Sequence, residues 1–277
     1  MKEFAWLKWS VMTPQLMMWT SLLLGLVPTL SAQTAQSCCE VLELRQYTLY
    51  PGKRDVLIDL FEREFIESQE ALGAQVIGQF RDLDNPDRFV WLRGFRDMDA
   101  RLDALQSFYD GPVWKAHREE ANATMADSSN VLLLRRVDAD SSFPSNQNSR
   151  PAVGAGQESS SLVVATIYYL KAPADDAFRA FFEQQVIPVM TKAGARPLAY
   201  FETETLENNY PRLPVRTGEN VFVWFSSFAN GEAFSEHLQR LKKTKNWSES
   251  INPELSSHFK SAPEHLRLEP TPRSLLR

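Results

Sequence analysis

The second half of this 277-residue chain repeats the first at a nearly constant spacing. Tyr47-Thr48-Leu49 falls on Tyr168-Tyr169-Leu170, Phe61-Glu62 on Phe182-Glu183, Ile66 on Ile187 and Gly73-Ala74 on Gly194-Ala195, all 121 positions apart. One insertion raises the offset to 133, and Phe89-Val90-Trp91 then falls on Phe222-Val223-Trp224, Phe95 on Phe228 and Trp114 on Trp247. Two similar halves in one polypeptide predict two copies of one small fold packed face to face, with any site between them.

Each half reads in the same order. Val41 to Leu49 alternates in period two, with Leu42 and Leu44 on one face and Glu43, Arg45 and Tyr47 on the other, which predicts a strand. Pro51-Gly52 stops it, Lys53 to Leu72 reads as a helix, and Gln75–Asp82 and Arg88–Phe95 read as a hairpin around Asp84-Asn85-Pro86. Two helices, one carrying Leu102, Leu105 and Phe108 and one carrying Trp114 and His117, lead to a last strand, Val131 to Val137. Strand, helix, strand, strand, helix, strand is the split βαβ arrangement of ferredoxin-like folds. The second half offers strands at 162–170, 196–203, 221–228 and 266–268, with helices at 175–192 and 231–243. Its 12 extra residues fall within Glu202 to Asn220 and read as a loop, ordered at its base and mobile at its tip. The expected organisation is a signal peptide and leader over 1–36, one repeat over 37–138, a flexible Ser/Asn/Gln/Gly/Pro linker over 139–161 and a second repeat over 162–277. The fold class is α+β: two four-stranded sheets, each with helices on one side, stack their open faces into a barrel within one chain.

The chain carries a net charge of −5, and losing Lys2, Glu3 and Lys8 with the leader would make it −6. A mildly acidic body without basic runs argues against nucleic acid as a partner. Leu16 to Val27 is apolar but shorter than the roughly 20 residues of a spanning helix, and Ser31-Ala32 follows, so an exported protein with a cleaved signal is expected and an uncleaved N-terminal anchor is the alternative. No integral membrane segment remains after cleavage. Cys38 and Cys39 are the only cysteines; in an oxidising compartment they could pair with each other in a strained ring or with a second chain, a lipid is disfavoured by Ala35-Gln36-Ser37, and two exposed thiols stand level with an intermolecular bridge. His117, His237, His258 and His265 have no partner at helical spacing, and no phosphate loop, nucleophile elbow or Cys–His pair is present, so no metal and no cofactor is expected. Asn122-Ala123-Thr124 and Asn246-Trp247-Ser248 match glycosylation sequons, relevant only in a eukaryotic host.

Leu44-Arg45-Gln46-Tyr47-Thr48-Leu49-Tyr50-Pro51-Gly52-Lys53, Gly73-Ala74-Gln75-Val76-Ile77-Gly78-Gln79-Phe80, Phe89-Val90-Trp91-Leu92, and Arg101 followed by Pro112-Val113-Trp114 together resemble the NIPSNAP family over roughly 41–137. The second half keeps the aromatic skeleton but has Thr166 in place of Arg45 and Ala172-Pro173 in place of Pro51-Gly52. The resemblance implies a dimeric α+β barrel of ferredoxin-like units. It implies no particular reaction, since the family has no established catalytic residues. Animal members are associated with mitochondria and with recruitment of partner proteins, a role that would not transfer to the exported bacterial relative that this leader suggests.

The candidate pocket is the barrel interior, lined by Glu43, Arg45, Tyr47, Trp91 and Arg93 from the first half and by Thr166, Tyr168 and Tyr200 from the second. Arg45 there suits a carboxylate or phosphate, while an Arg45–Glu43 pair that satisfies itself is the simpler reading and is favoured. Trp91, Trp114, Trp224 and Trp247 recur at matched positions, which favours core packing over ligand stacking. The expected function is binding of a small molecule or a protein partner through the barrel, with further homo-oligomerisation possible at the hairpin edges. The alternative is a cofactor-independent enzyme, resembling monooxygenases or isomerases of the same barrel, with Arg45 as substrate anchor and Tyr47 or Tyr168 aiding proton transfer.

Overall fold

The computed structural model describes residues 39–143, 150–154, 157 and 159–277, together with Met1. The expected signal peptide and Cys38 lie outside the described residues, as does part of the expected linker.

The first half runs β1 (Val41–Leu49), α1, β2 (Gln75–Asp82), β3 (Arg88–Phe95), α2 (Met98–Tyr109), α3 (Pro112–Asn122), a short β4 (Met125–Asp127) and β5 (Val131–Arg136). The second runs β6 (Leu162–Leu170), α4, β7 (Arg196–Thr203), β8 (Asn220–Phe228), α5 (Gly231–Lys243), α6 and β9 (Glu264–Pro270). Helix α1 passes through Arg54–Leu60, a π turn at Phe61–Phe65 and Ile66–Glu70; α4 passes through Asp176–Phe181, a π turn at Phe182–Val186 and Ile187–Lys192; α6 begins with a π turn at Trp247–Ile251 and continues as Asn252–Ser257. The π turns of α1 and α4 fall 121 residues apart, so the repeat extends to a local irregularity that periodicity could not show. Gly73 and Gly194 follow these helices with φ of 92° and 112°, the left-handed turn that glycine makes without a Cβ penalty. Asp97 and Asn230, 133 apart, cap α2 and α5 by accepting from Ala100 N and Ala233 N.

Strand order is β3-β2-β9-β6-β8-β7-β5-β1, and β1 pairs with β3 to close the ring. All the pairings are antiparallel, and β4 attaches outside β1. The result is an eight-stranded α+β barrel of two ferredoxin-like units, whose seams are β2 against β9 and β5 against β7. Ion pairs mark both seams: Arg267 with Asp84, and Arg135 with Glu202 at 2.7 Å.

The barrel interior is apolar apart from Gln46, which stands opposite Val90 on the inward face. Leu42, Leu44, Val90, Leu92, Leu132 and Leu134 meet Val163, Ala165, Ile167, Val223, Phe225 and Leu268 there, all buried. This reverses the expected facing of the first strand. Glu43, Arg45, Tyr47, Trp91 and Arg93 point away from the barrel axis into the layer between sheet and helices, and Thr166, Tyr168 and Tyr200 do the same in the second half. The cause is that both faces of the sheet are covered, so β1 is buried almost throughout and alternation alone cannot say which face meets the other sheet.

The segment expected to be a linker feeds the core. Phe143 is 2% exposed inside the barrel, 5.6 Å from the ring of Phe201 and 5.2 Å from that of Phe225. Arg150 donates to the Val76 carbonyl and to Glu70 on the first half. Cys39 is also buried and is not a free thiol; its sulfur fills the space that a Cβ at Gly94 would need. Among the described residues no helix is long and apolar enough to cross a membrane.

Phe143→Ala should therefore behave as a core truncation, destabilising the protein by ~3–5 kcal/mol. Urea denaturation checks this, and a change within ~0.5 kcal/mol would show the segment to be a tether only.

Candidate functional site

In the first half, the layer between sheet and helices holds a buried charge cluster. Glu43 on β1 is 0% exposed and uses both oxygens: Oε2 accepts from Arg45 Nη1 at 2.8 Å and Arg93 Nη2 at 2.6 Å, and Oε1 accepts from Arg101 Nε at 2.8 Å. Burial alone would raise the carboxyl pKa, but Arg93, Arg45 and Arg101 together hold it far below the usual carboxylate range. Arg45 Nε also donates to the Tyr47 hydroxyl at 2.9 Å, and Arg93 Nη1 donates to Gln69 Oε1 at 2.7 Å. The face of Trp91 takes both neighbouring guanidiniums, with Arg45 at 5.5 Å and Arg93 at 4.9 Å from ring centres. The self-satisfying Arg45–Glu43 pair is thus present, enlarged to three arginines on one carboxylate.

The lid over this cluster comes from the other half. The β7–β8 loop, carrying the extra residues of the second repeat, places Asn208 Oδ1 and Asn209 Oδ1 at 3.1 and 2.7 Å from Arg101 Nη1. Asn209 Nδ2 donates to the Met98 carbonyl at 2.6 Å, and Tyr210 stacks on Tyr109 with ring centres 6.0 Å apart. The loop is packed at its tip rather than mobile there, with Tyr210 only 4% exposed.

The same layer in the second half has lost every charged member of the cluster. At the two offsets, Glu43 corresponds to Val164, Arg45 to Thr166, Gln69 to Met190, Arg93 to Ser226 and Arg101 to Phe234, while Tyr47 and Trp91 keep their types as Tyr168 and Trp224. Smaller side chains on the sheet leave space, and a cavity of about 200 Å³ opens against Val164, Thr166, Tyr168, Trp224 and Ser226. His237, Trp247 and His265 also line it. Thr166 Oγ1 lies 3.1 Å from His265 Nδ1, whereas Trp224 Nε1 and His237 Nδ1 are buried without a hydrogen-bond partner. Burial pushes the pKa of both histidines down and that of Tyr168 up; the Trp224 indole N–H lies beside the phenol and opposes its rise without hydrogen-bond geometry. All three groups are neutral near pH 7.

The eight residues expected to share one pocket therefore divide. Glu43, Arg45, Tyr47, Trp91 and Arg93 form the filled cluster, Thr166 and Tyr168 line the open cavity, and Tyr200 lies apart, its hydroxyl donating to Glu183 Oε1 at 2.9 Å. Gln69, Asn208 and Asn209 join the first site and Ser226, His237 and His265 the second, all unassigned from sequence. Comparing the halves position by position, beyond Arg45 and Thr166, would have exposed the exchange of charged for neutral residues. Trp91 and Trp224 pack against the helices, Phe61 meeting Trp91 at 4.7 Å and its counterpart Phe182 meeting Trp224 at 6.1 Å, while Trp224 and Trp247 also line the cavity. Among the described residues no group of three or more His, Cys, Asp or Glu could hold a metal ion.

Residues 42–137 match the NIPSNAP family model. Among solved structures, an anthrone oxidase-like protein is similar at 12% identity and a TM-score of 0.55, the match covering 86% of this chain and 94% of that one. A monooxygenase-like protein of Lactobacillus acidophilus NCFM is similar at 16% identity and a TM-score of 0.50, covering 85% and 96%. A NIPSNAP family protein of Agrobacterium tumefaciens str. C58 is similar at 20% identity over 42% of this chain and 99% of its own, with a TM-score of 0.35. No curated protein matches. At these identities the first two structures show a shared α+β barrel fold and nothing further.

Glu43→Gln should cost ~3–5 kcal/mol near neutral pH, because it leaves three buried guanidiniums without a counter-charge. Since the folded pKa of Glu43 is depressed, its contribution is complete above the unfolded value of 4.5 and is lost as pH falls below it. The stability gap between wild type and Glu43→Gln should thus narrow from about pH 6 to about pH 3, measured by urea unfolding at each pH. A gap independent of pH would show that Glu43 acts by shape rather than by charge.

Proposed function

We propose that the protein binds a small, largely apolar molecule between the sheet and the helices of its second half, and that the first half is a rigid support. The observation that carries this reading is the replacement of Glu43, Arg45 and Arg93 by Val164, Thr166 and Ser226, which leaves about 200 Å³ open at the place that the first half fills. An apolar cavity of about 150 Å³ is enough to take benzene. The walls here are mostly aromatic and aliphatic, with a few neutral polar groups and Lys242 to orient a ligand. Among the described residues the barrel interior is filled by side chains from both sheets.

The enzyme alternative, with Arg45 as substrate anchor, has less support. Arg45 is 1% exposed and already engaged by Glu43, Tyr47 and Trp91, and burial pushes the phenol pKa of both Tyr47 and Tyr168 upward, away from proton transfer near pH 7. The structural neighbours carry oxygenase and oxidase names, which suit the enzyme alternative, but at 12% and 16% identity they share the fold alone and a fold does not fix an activity.

Naphthalene is a suitable probe, since Trp224 and Trp247 line the cavity and report its entry by fluorescence. Saturable binding is expected to wild type, and Ser226→Leu, which fills the cavity, should weaken it by at least ~tenfold while leaving the melting temperature equal or higher. Equal binding to both proteins, or to neither, would sink the proposal.

A further inference from the structure

Two hydrogen-bond donors stand side by side in the wall of the second-half cavity. Thr166 of β6 pairs with Trp224 of β8, and Tyr168 lies two residues further along β6 on the same face. Tyr168 and Trp224 are therefore diagonal neighbours, within reach of each other's side chains, and both line the cavity. The indole N–H lies beside the phenol without hydrogen-bond geometry to it.

Neither donor is provided for by the protein as its first-half counterpart is. Trp224 is 4% exposed and its Nε1 has no acceptor; an indole N–H can only donate, so a buried hydrogen is left unsatisfied. Trp91 Nε1 is unpaired as well, but two guanidiniums cover that ring, whereas Trp224 borders about 200 Å³ of open space. The Tyr47 hydroxyl accepts from Arg45, and Thr166 in place of that arginine leaves Tyr168 without a guanidinium at its side. Burial pushes the Tyr168 pKa up, so the phenol keeps its proton and can donate it in a hydrogen bond.

The buried residues of this wall are uncharged. Arg45, Arg93 and Arg101 correspond to Thr166, Ser226 and Phe234, burial keeps His237 and His265 neutral near pH 7, and Lys242 is exposed. A carboxylate carried in to the two donors would leave water without gaining a buried counter-ion. A carbonyl oxygen is uncharged and has two lone pairs, one for each donor.

We propose that the molecule held in this cavity is a neutral ring ketone, whose carbonyl oxygen accepts from both the Trp224 indole N–H and the Tyr168 hydroxyl while its hydrocarbon body rests on the aromatic and aliphatic walls. This rests on the reading that the cavity is a binding site, and it adds the functional group that the bound molecule carries.

The test uses the full chain and three two-ring probes: tetralone, its parent hydrocarbon tetralin, and naphthoate as the carboxylate. Calorimetry gives the affinities, and nitrogen-15 labelling of tryptophan follows the indole N–H signals. Tetralone and tetralin are both expected to bind saturably, naphthoate more weakly than tetralone, and only tetralone should move the Trp224 indole proton downfield, with the Trp91 signal unmoved as an internal control. Tyr168→Phe keeps the ring stacked on Phe259 and removes only the hydroxyl. It should weaken tetralone by about three- to tenfold, the worth of one neutral hydrogen bond, and leave tetralin within about twofold of wild type. Binding of tetralin alone, an equal loss of both probes in Tyr168→Phe, no indole shift with tetralone, or tighter binding of naphthoate would overturn the ketone while leaving the cavity as a binding site. Failure of tetralone and tetralin alike to bind would remove both readings.

Discussion

The carboxylate of Glu43 is the point on which the first half is assembled. It pairs with Arg45 on its own strand, ties β1 to the adjacent β3 through Arg93, and ties the sheet to helix α2 through Arg101. Arg101 then reaches the loop of the second half. One anionic group thereby orients three elements of its own half and a fourth from the other half. Hydrophobic burial supplies most of the folding free energy in a protein of this size, but it is non-directional. The ion cluster supplies direction, setting where α2 lies over the sheet.

The second half solves the same packing problem without charge. Phe182 meets Phe222 at 4.7 Å and Trp224 at 6.1 Å, as Phe61 meets Phe89 at 5.5 Å and Trp91 at 4.7 Å, so the aromatic framework is retained while the residues around it change. An aromatic framework at matched π turns is sufficient to hold a helix on its sheet. The polar cluster is therefore an elaboration of one half rather than a requirement of the fold. Where the cluster is missing its volume has not been refilled, and Thr166 and Ser226 remain as small polar residues facing a cavity. A core under selection for stability alone would close such a space, since each unfilled methyl-sized void costs ~1 kcal/mol.

Much of this architecture was legible in the sequence. The offsets of 121 and 133, the period-two strands and the glycines at 73 and 194 place the elements in register with what the structure shows. The direction of the faces was not legible, because Leu42 and Glu43 are both fully buried and a polar residue normally marks the wet side of a strand. Glu43 is inside because three cations surround it, and two of them lie 50 and 58 residues away in sequence. The destination of the loop was hidden for a different reason. It belongs to the one interval where the two halves cease to correspond, so no equivalent segment in the first half indicated where Asn208 and Asn209 would go. Phe143, a lone aromatic in a polar stretch, gave too little pattern to separate a core anchor from a linker residue.

The β7–β8 loop also bears on the ancestry of such a chain. A barrel built from two equal units can be assembled by one short polypeptide pairing with itself, and a fusion of two such units is at first reversible. Once Asn208 and Asn209 seal a neighbour's buried arginine, that freedom is gone. The amino-terminal unit has come to rely on a structure encoded only by its carboxy-terminal twin, and a partition of the gene would return one unit with an unsealed core and another with a loop that has nothing to cover.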